Sequence, residues 1–258
     1  MSHSWIPRVT GLTLLAGLAL SQASDAATPL ISITPVTVTI PSGHRSSLIT
    51  IRNLNPEPMN IQITPFAWAQ DQQAEDRLTP THDLIVFPLI FTIRPHSERK
   101  VRIGTALSAP TERTYRLIVD TLLPSDSQPD AGRSAGFRIT TRASTPVFLL
   151  PTQPAAPKLA AALTIEAGHL KVQISNTGSL HLPPQHLQIT GYADEQTAPI
   201  LSGTTTGWYL LPNISHTHDI PLPPDKCPSL TVIKMDIRYD THTTTRRLAL
   251  PPGACAPS

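Results

Sequence analysis

Apolar and polar residues alternate along most of the chain with a period of two. Short alternating runs, such as "SSLITIRN" at 46–53 and "HLKVQISN" at 169–176, are separated by turn residues such as proline, glycine and asparagine. A period of two places successive side chains on opposite faces of a β-strand. No long stretch after residue 26 has the period of an amphipathic helix. The pattern therefore predicts an all-β fold.

The predicted strands form two series. About seven fill residues 27–151, and about seven more fill residues 159–258, including "GWYLLP" at 207–212. This number of short strands in roughly 100 residues is typical of an immunoglobulin-like β-sandwich. The segment between the series, residues 152–158, is rich in proline and alanine and predicts a short, stiff linker. We therefore expect two immunoglobulin-like β-sandwich domains, a first domain at 27–151 and a second domain at 159–258.

The first 26 residues have a different character. One basic residue, Arg8, precedes an apolar run from Val9 to Leu20, and the small residues Ser24 and Ala26 follow. The apolar run is shorter than the roughly 20 residues that a membrane-spanning helix needs. This arrangement predicts a secretory signal peptide at 1–26, and the alternative is a buried helix. We expect the mature chain to be exported without inserting into a membrane.

Composition narrows the function classes. The net charge is +2, with 15% charged residues, so nothing indicates a surface for nucleic acid. The two cysteines, Cys227 and Cys255, are equidistant from Thr241 in the turn "YDTHT". A hairpin around this turn brings the cysteines together, and an exported chain with an even cysteine count favours a disulfide. The alternative is two free buried thiols.

The sequence gives little support to catalysis. It has no G-x-S-x-G motif, no phosphate-binding loop and no H-E-x-x-H motif. His216 and His218 lie two residues apart, and such a pair can bind a metal on one strand face. No cysteine or carboxylate cluster accompanies them, so we expect a solvated strand face. The sequence therefore predicts a protein without cofactor or metal that is not an enzyme.

One stretch, "AGFRITTRASTPVFLLP" at 135–151, has an unusual pattern. Its first half predicts a strand with one apolar face, formed by Phe137, Ile139, Thr141 and Ala143. From Val147 to Leu150 both faces are apolar, and a polar loop at 124–136 precedes the strand. An apolar strand face needs a cover. The cover is either the core of the protein itself or a partner.

A series of different short motifs runs through both halves of the chain. They are P-x-x-V-x-I-P-S-G (35–43), IRN (51–53), W-x-Q (68–70), LTPT (78–81), FPLIFTIRP (87–95), VRI (101–103), E-x-x-YRL (112–117), PVF (146–148), NTGSLHL (176–182) and GWYLLPN (207–213). Each motif alone is weak. Their order and spacing resemble those of the PapD-like periplasmic chaperones of the chaperone–usher pilus pathway, in the branch that assembles archaic-type pili.

This resemblance implies two sandwiches in a boomerang arrangement and a location in the periplasm. It also implies that the chain binds pilus subunits, which are sandwiches that lack their last strand, and delivers them to an outer-membrane usher. In such donor-strand complementation the chaperone lends its seventh strand to the subunit. On the resemblance, Phe137, Ile139, Thr141 and Ala143 are the side chains that enter the subunit, and the subunit is their cover.

The chain departs from the family at three positions. Thr37 and Pro146 stand where basic residues usually bind the carboxylate at the subunit's C-terminus, and Leu150 stands where a basic residue often links the domains. Arg142 is the nearest basic residue on the donor strand and faces away from Phe137 and Ile139. We therefore expect Arg142 to anchor the carboxylate. Two alternatives stay open, namely an exported pilus subunit or adhesin and a metal-binding sandwich protein.

Overall fold

The computed structural model describes residues 31–122 and 140–255 of the 258-residue chain. Ten strands precede residue 150: β1 (Ile31–Thr34), β2 (Val38–Ile40), β3 (Ser46–Asn53), β4 (Met59–Gln70), β5 (Asp76–Pro80), β6 (Ile85–Phe87), β7 (Ile90–Ile93), β8 (Glu98–Gly104), β9 (Arg113–Leu122) and β10 (Arg142–Leu149). Seven follow: β11 (Leu159–Glu166), β12 (His169–Asn176), β13 (His186–Tyr192), β14 (Leu201–Thr206), β15 (Ser215–Pro221), β16 (Val232–Tyr239) and β17 (His242–Ala249).

Strands account for all regular structure in the described ranges except one short 3₁₀ turn, Cys227–Ser229. In those ranges no helix has the length and apolar character needed to cross a membrane. The expected signal peptide at 1–26 lies outside the described residues, as do Phe137 and Ile139. The predicted all-β class is confirmed.

The first domain is a sandwich of two sheets. One has the strand order β1-β3-β8-β6, and the other has the order β2-β10-β9-β4-β5 with β7 beside β4. Alternate residues face inward, as on β8, where Val101 and Ile103 are fully buried while Lys100 and Arg102 are exposed. The inner faces of the two sheets form one apolar core. The period of two in the sequence reflects this packing.

Two runs that predict single strands are each divided between the two sheets. The run before Ile40 is interrupted at Pro35, so that β1 pairs antiparallel with β3 while β2 runs parallel to β10. The run at 84–93 is interrupted at Pro88, so that β6 pairs with β8 and β7 with β4. Proline has no N–H to donate to a strand ladder, which favours a break at each of these positions.

The second domain is also a sandwich, with sheets ordered β11-β12-β15 and β14-β13-β16-β17 around its own core. The prediction of a strand at 207–212 is wrong. The strand in this region is β14, and the next residues form only an isolated bridge between Leu182 and Leu210. Tyr209 and Leu211 pack with Trp68 and Phe148 of the first domain, whereas Leu210 packs in the core of the second domain, so the segment does not continue as a strand.

The C-terminal hairpin and its disulfide are confirmed. Tyr239 pairs with His242 across the turn, and Cys227 is bonded to Cys255 with 5.7 Å between their Cα atoms. Cys227 is buried, and Cys255 packs against the same core. The bond therefore ties the segment before β16 to the segment after β17.

We predict that replacing both Cys227 and Cys255 with alanine lowers the free energy of unfolding by about 3–4 kcal/mol. The two residues are separated by 28 positions, and opening a loop of this size restores conformational entropy to the unfolded chain. Urea unfolding of the oxidised protein and the double variant measures the difference. Equal unfolding free energies would contradict the prediction, and peptide mapping without reductant tests the pairing directly.

Candidate functional site

Strand β10 has one bare edge. It pairs with β9 along its whole length, from Arg142 to Leu149, but with β2 only at 147–149. The other edge of residues 142–146 therefore has no neighbouring strand among the described residues. An edge of this kind presents unpaired backbone N–H and C=O groups and can accept a strand from another chain.

The burial of side chains changes along β10. Thr141 and Ala143 are half-buried, whereas every residue from Thr145 to Leu149 is buried. The predicted burial of both strand faces near Val147 is thus seen in the structure. Ala143 packs partly against the core of the first domain, so the chain itself covers part of this side chain. Thr141 continues the ladder, since its backbone oxygen accepts from the N–H of Thr121 at 3.0 Å, while its own N–H donates to Oγ1 of Thr121 at 2.7 Å.

Arg142 lies at the exposed start of β10, with 73% of its side chain accessible. Its guanidinium group donates to both oxygens of Asp120, from Nε at 2.7 Å and from the terminal nitrogen at 3.2 Å. The hydrogen bond with Asp120 raises the pKa of Arg142 above its usual value, and the charge of Asp120 adds to this. In the free protein Arg142 is therefore engaged by an internal carboxylate.

A second arginine lies in the cleft between the domains. Arg116 on β9 faces Pro146 across the strand pair, and only 3% of its side chain is exposed. Its guanidinium carbon lies 3.7 Å from the centroid of the Trp68 ring, and its terminal nitrogen lies 3.4 Å from Asp76 Oδ2. Burial lowers the pKa of Arg116, and the charge of Asp76 opposes this shift.

Sequence reasoning missed Arg116, although the sequence contains a signal for it. The residue interrupts the apolar run at 115–119, whose other members are all buried. An arginine inside such a run is buried with a partner, because burial of an unpaired charge is costly. The aromatic ring and the carboxylate that accompany Arg116 come from distant positions, and only the fold brings them together.

An apolar cluster joins the two domains. Trp68 and Phe148 of the first domain and Leu211 of the second are buried against one another. The ring of Phe148 also stacks on His181, with centroids 3.4 Å apart and planes 3° apart. Glu112 accepts hydrogen bonds from the N–H of His181 at 2.7 Å and pairs with its Nδ1 at 2.8 Å. The stacked rings of Phe148 and His181 and the carboxylate–imidazole pair thus connect the two domains. Leu150, where the resemblance implies a basic residue that links the domains, carries no charge.

The hairpin formed by β4 and β5 also reaches the second domain. The polar run at 71–83 predicts a loop, and this prediction is wrong for residues 76–80, which form β5 opposite the end of β4. Asp71 stabilises the turn by accepting hydrogen bonds from the N–H groups of Glu75 and Gln73. Its pKa is lowered by the bond from Glu75 first and by Arg77 as well. Ala74 at the tip packs against the core of the second domain.

Thr37 takes part in this interface too. Its hydroxyl oxygen lies 3.0 Å from the hydroxyl of Tyr209, and either group can donate. At Thr37, where the resemblance implies a basic residue, this chain therefore has a polar contact between the domains.

His216 and His218 lie half-buried on one face of β15, with ring centroids 4.7 Å apart. They line a cavity of about 310 Å³ between the domains together with Glu75, Asp76 and Trp208. In the described ranges no three His, Cys, Asp or Glu side chains are grouped to hold a metal ion. Burial lowers the pKa of His218, and the neighbouring His216 lowers it further.

Comparison with known proteins defines the class. Residues 30–155 match the family described as pili and flagellar-assembly chaperone, PapD N-terminal domain. Among curated proteins, none matches the chain.

Solved structures share the fold over both domains. A chain of the CsuC–CsuE chaperone-tip adhesion subunit pre-assembly complex, from archaic chaperone–usher Csu pili of Acinetobacter baumannii, is 18% identical with a TM-score of 0.55, covering 84% of this chain and 97% of that one. The complex of Salmonella enterica SafA pilin with the SafB chaperone gives 15% identity, a TM-score of 0.55 and coverages of 84% and 96%. The YadV chaperone gives 10% identity, a TM-score of 0.58 and coverages of 86% and 100%.

The chain therefore has the two-sandwich fold of these solved structures. Residues 30–155 belong to the PapD-like family of pilus-assembly chaperones, as the resemblance of the motifs implied.

We predict that the protein loses stability as the pH falls from 7 to 5, and that His218 contributes to this loss. The folded pKa of His218 lies below its unfolded value, so in this window the unfolded chain binds a proton that the folded chain does not. The His218→Gln variant should lose less unfolding free energy over the same range. Urea unfolding at several pH values measures this, with the exposed His44→Gln as control. Parallel pH profiles for wild type and His218→Gln would contradict the assignment.

Proposed function

We propose that the protein is a non-catalytic periplasmic chaperone that binds pilus subunits by donor-strand complementation and delivers them to an outer-membrane usher. The observation that carries the proposal is the bare edge of β10 at 142–146, beside a cleft between two sandwiches. The match of residues 30–155 to the family of pilus-assembly chaperones supports the proposal. Further support comes from the shared fold, since SafB was solved with a pilin.

In this mechanism an incomplete subunit supplies the strand that β10 lacks as a neighbour. Backbone hydrogen bonds would form along the free edge, and alternate side chains would enter the apolar groove of the subunit. The proposed donors are Phe137, Ile139, Thr141 and Ala143. Burial of a large apolar side chain such as Phe137 or Ile139 contributes roughly 1.5–3 kcal/mol. Ala143, which is already partly covered, contributes less.

We predict that Ile139→Asp abolishes stable subunit binding without a large change in melting temperature. The aspartate would bring an unpaired charge into an apolar groove, which is costly. Capture of a co-expressed pilus subunit and thermal melting of the free protein are measured on the same variant.

Arg138→Asp is the matched control, because it places the same charge on the opposite face of the strand, one residue away. We expect this variant to retain capture. If Ile139 instead packs in the core of the first domain, Ile139→Asp should melt at a much lower temperature. A destabilised variant that still captures the subunit would end the assignment of the donor strand.

We further propose that Arg142 helps to bind the carboxylate at the C-terminus of the subunit. An arginine can hold a carboxylate through two parallel hydrogen bonds. The carboxylate of the subunit would have to replace or share Asp120, which now accepts both bonds. Arg116 is a rival anchor, because it lies in the cleft and its contact with Asp76 is longer, at 3.4 Å.

We predict that Arg142→Ala lowers subunit capture without unfolding the protein. The side chain is largely exposed, so the loss of binding free energy should be about 1 kcal/mol unless the subunit buries the pair. Arg116→Lys is the comparison, since it keeps the charge but loses the planar fork. Unchanged capture by Arg142→Ala together with failure of Arg116→Lys would transfer the anchor to Arg116. Pull-down of the same co-expressed subunit measures both.

A further inference from the structure

The second domain supplies one wall of the cleft around Arg116. Trp208 and Tyr209 lie with their ring centroids 5.2 Å and 5.6 Å from the guanidinium carbon of Arg116. The two rings contact each other edge to face, with centroids 5.5 Å apart. Both residues lie in the segment at 207–212 that leaves the sheets of the second domain. The aromatic surroundings of Arg116 therefore depend on where this segment is held.

Within the second domain, the segment bonds through its backbone to Gln185 and Leu182. From the first domain, one side chain, that of Gln70, bonds to the backbone of the segment. Gln70, the last residue of β4, donates from Nε2 to the backbone oxygen of Tyr209 at 2.9 Å. Its Oε1 accepts from the backbone N–H of Leu211, also at 2.9 Å. A single amide thus satisfies a C=O and an N–H two residues apart, as a neighbouring strand would.

Other side chains fix the position of Gln70 itself. Nε2 also donates to Asp76 Oδ1 at 3.1 Å, across the pairing of β4 with β5. The other carboxylate oxygen of Asp76 accepts from the indole N–H of Trp208 at 3.3 Å and contacts Arg116 at 3.4 Å. Asp76 therefore connects the amide, the indole and the guanidinium group in one network.

We propose that Gln70 is a positioning residue that docks the second domain so that Trp208 and Tyr209 complete the subunit-binding cleft around Arg116. The inference rests on the proposed chaperone function only for its last step, the effect on the subunit. Only an amide of this length offers both a donor and an acceptor here. A glutamate at position 70 keeps the acceptor for Leu211 but loses the donor to Tyr209 and repels Asp76.

The first experiment uses the free full-length protein and requires no subunit. Spin labels are placed on cysteines introduced at two exposed strand positions, Lys100 in the first domain and Thr243 in the second. The sequence has two native cysteines, and both are joined in the disulfide, so neither reacts with the spin label. Double electron–electron resonance then gives the distribution of distances between the domains.

We expect a narrow distribution for the wild type and a broad one for Gln70→Ala and Gln70→Glu. Gln73→Ala is the matched control, since Gln73 is an exposed glutamine in the same hairpin and only its backbone N–H is bonded there. It should leave the distribution narrow. Trp208 should become more accessible to acrylamide in the two Gln70 variants alone. A narrow distribution in both Gln70 variants would overturn the inference.

The second experiment measures capture of a co-expressed pilus subunit by the same variants. We expect Gln70→Ala to bind about tenfold more weakly, the usual scale for one or two lost hydrogen bonds. Broadened distances with undiminished capture would refute the role of Gln70 in the cleft while leaving the chaperone function intact. A wild-type protein that captures no subunit would refute the proposed function, whereas the distance measurement on the free protein would still decide whether Gln70 docks the second domain.

Discussion

The incomplete pairing of β10 is the constraint on which the rest of the structure depends. The strand has a partner along one edge throughout, but along the other edge only for the three residues that meet β2. Its last five residues are buried, which fixes the strand in the first domain. Its first residues are left with a free edge. One strand thus combines a rigid end with an end that can accept another chain.

The buried end of β10 also connects the domains. Val147 and Leu149 face the core of the first sandwich, whereas Phe148 faces the second domain. Phe148 contacts Trp68 and stacks on His181, so the strand that has the free edge also packs directly against the neighbouring domain. A shift of β10 would therefore disturb both the first core and the domain contact. The position of the free edge of β10 therefore depends on the contact between the two domains as well as on the first core.

Buried polar groups set the geometry of that interface. The side chain of Glu112 is completely buried and makes two hydrogen bonds with His181. Gln70 and Arg116 meet at Asp76, which contacts both. Directional bonds of this kind lose strength quickly when the geometry changes, whereas apolar contacts tolerate sliding. The apolar cluster and the polar network both connect the domains, and the directional bonds of the network favour one orientation.

Several features followed from the sequence because they depend on local or repeating patterns. The period of two indicated two sandwiches, the spacing of Cys227 and Cys255 about Thr241 indicated the hairpin and its disulfide, and both are present. The apolar run from Val147 indicated burial on both faces of β10. The roles of Phe137, Ile139 and Arg142 stay predictions, because two of these residues lie outside the described ranges and the third requires a partner to be tested.

The tertiary structure alone decided how the cleft is built. Gln70 bonds to residues about 140 positions away, and the aromatic partners of Arg116 come from both domains. No local pattern marks such contacts, since a glutamine at a strand end or an arginine in an apolar run has many possible partners. The segment at 207–212 predicts a strand from its own residues, but Tyr209 and Leu211 pack against the first domain. Strand β5 is missed for another reason, since its residues are all exposed and show no apolar alternation. Alternation along the chain indicates which strand faces are buried within each sandwich, but the partners of Gln70 and Arg116 are determined only when the two domains meet.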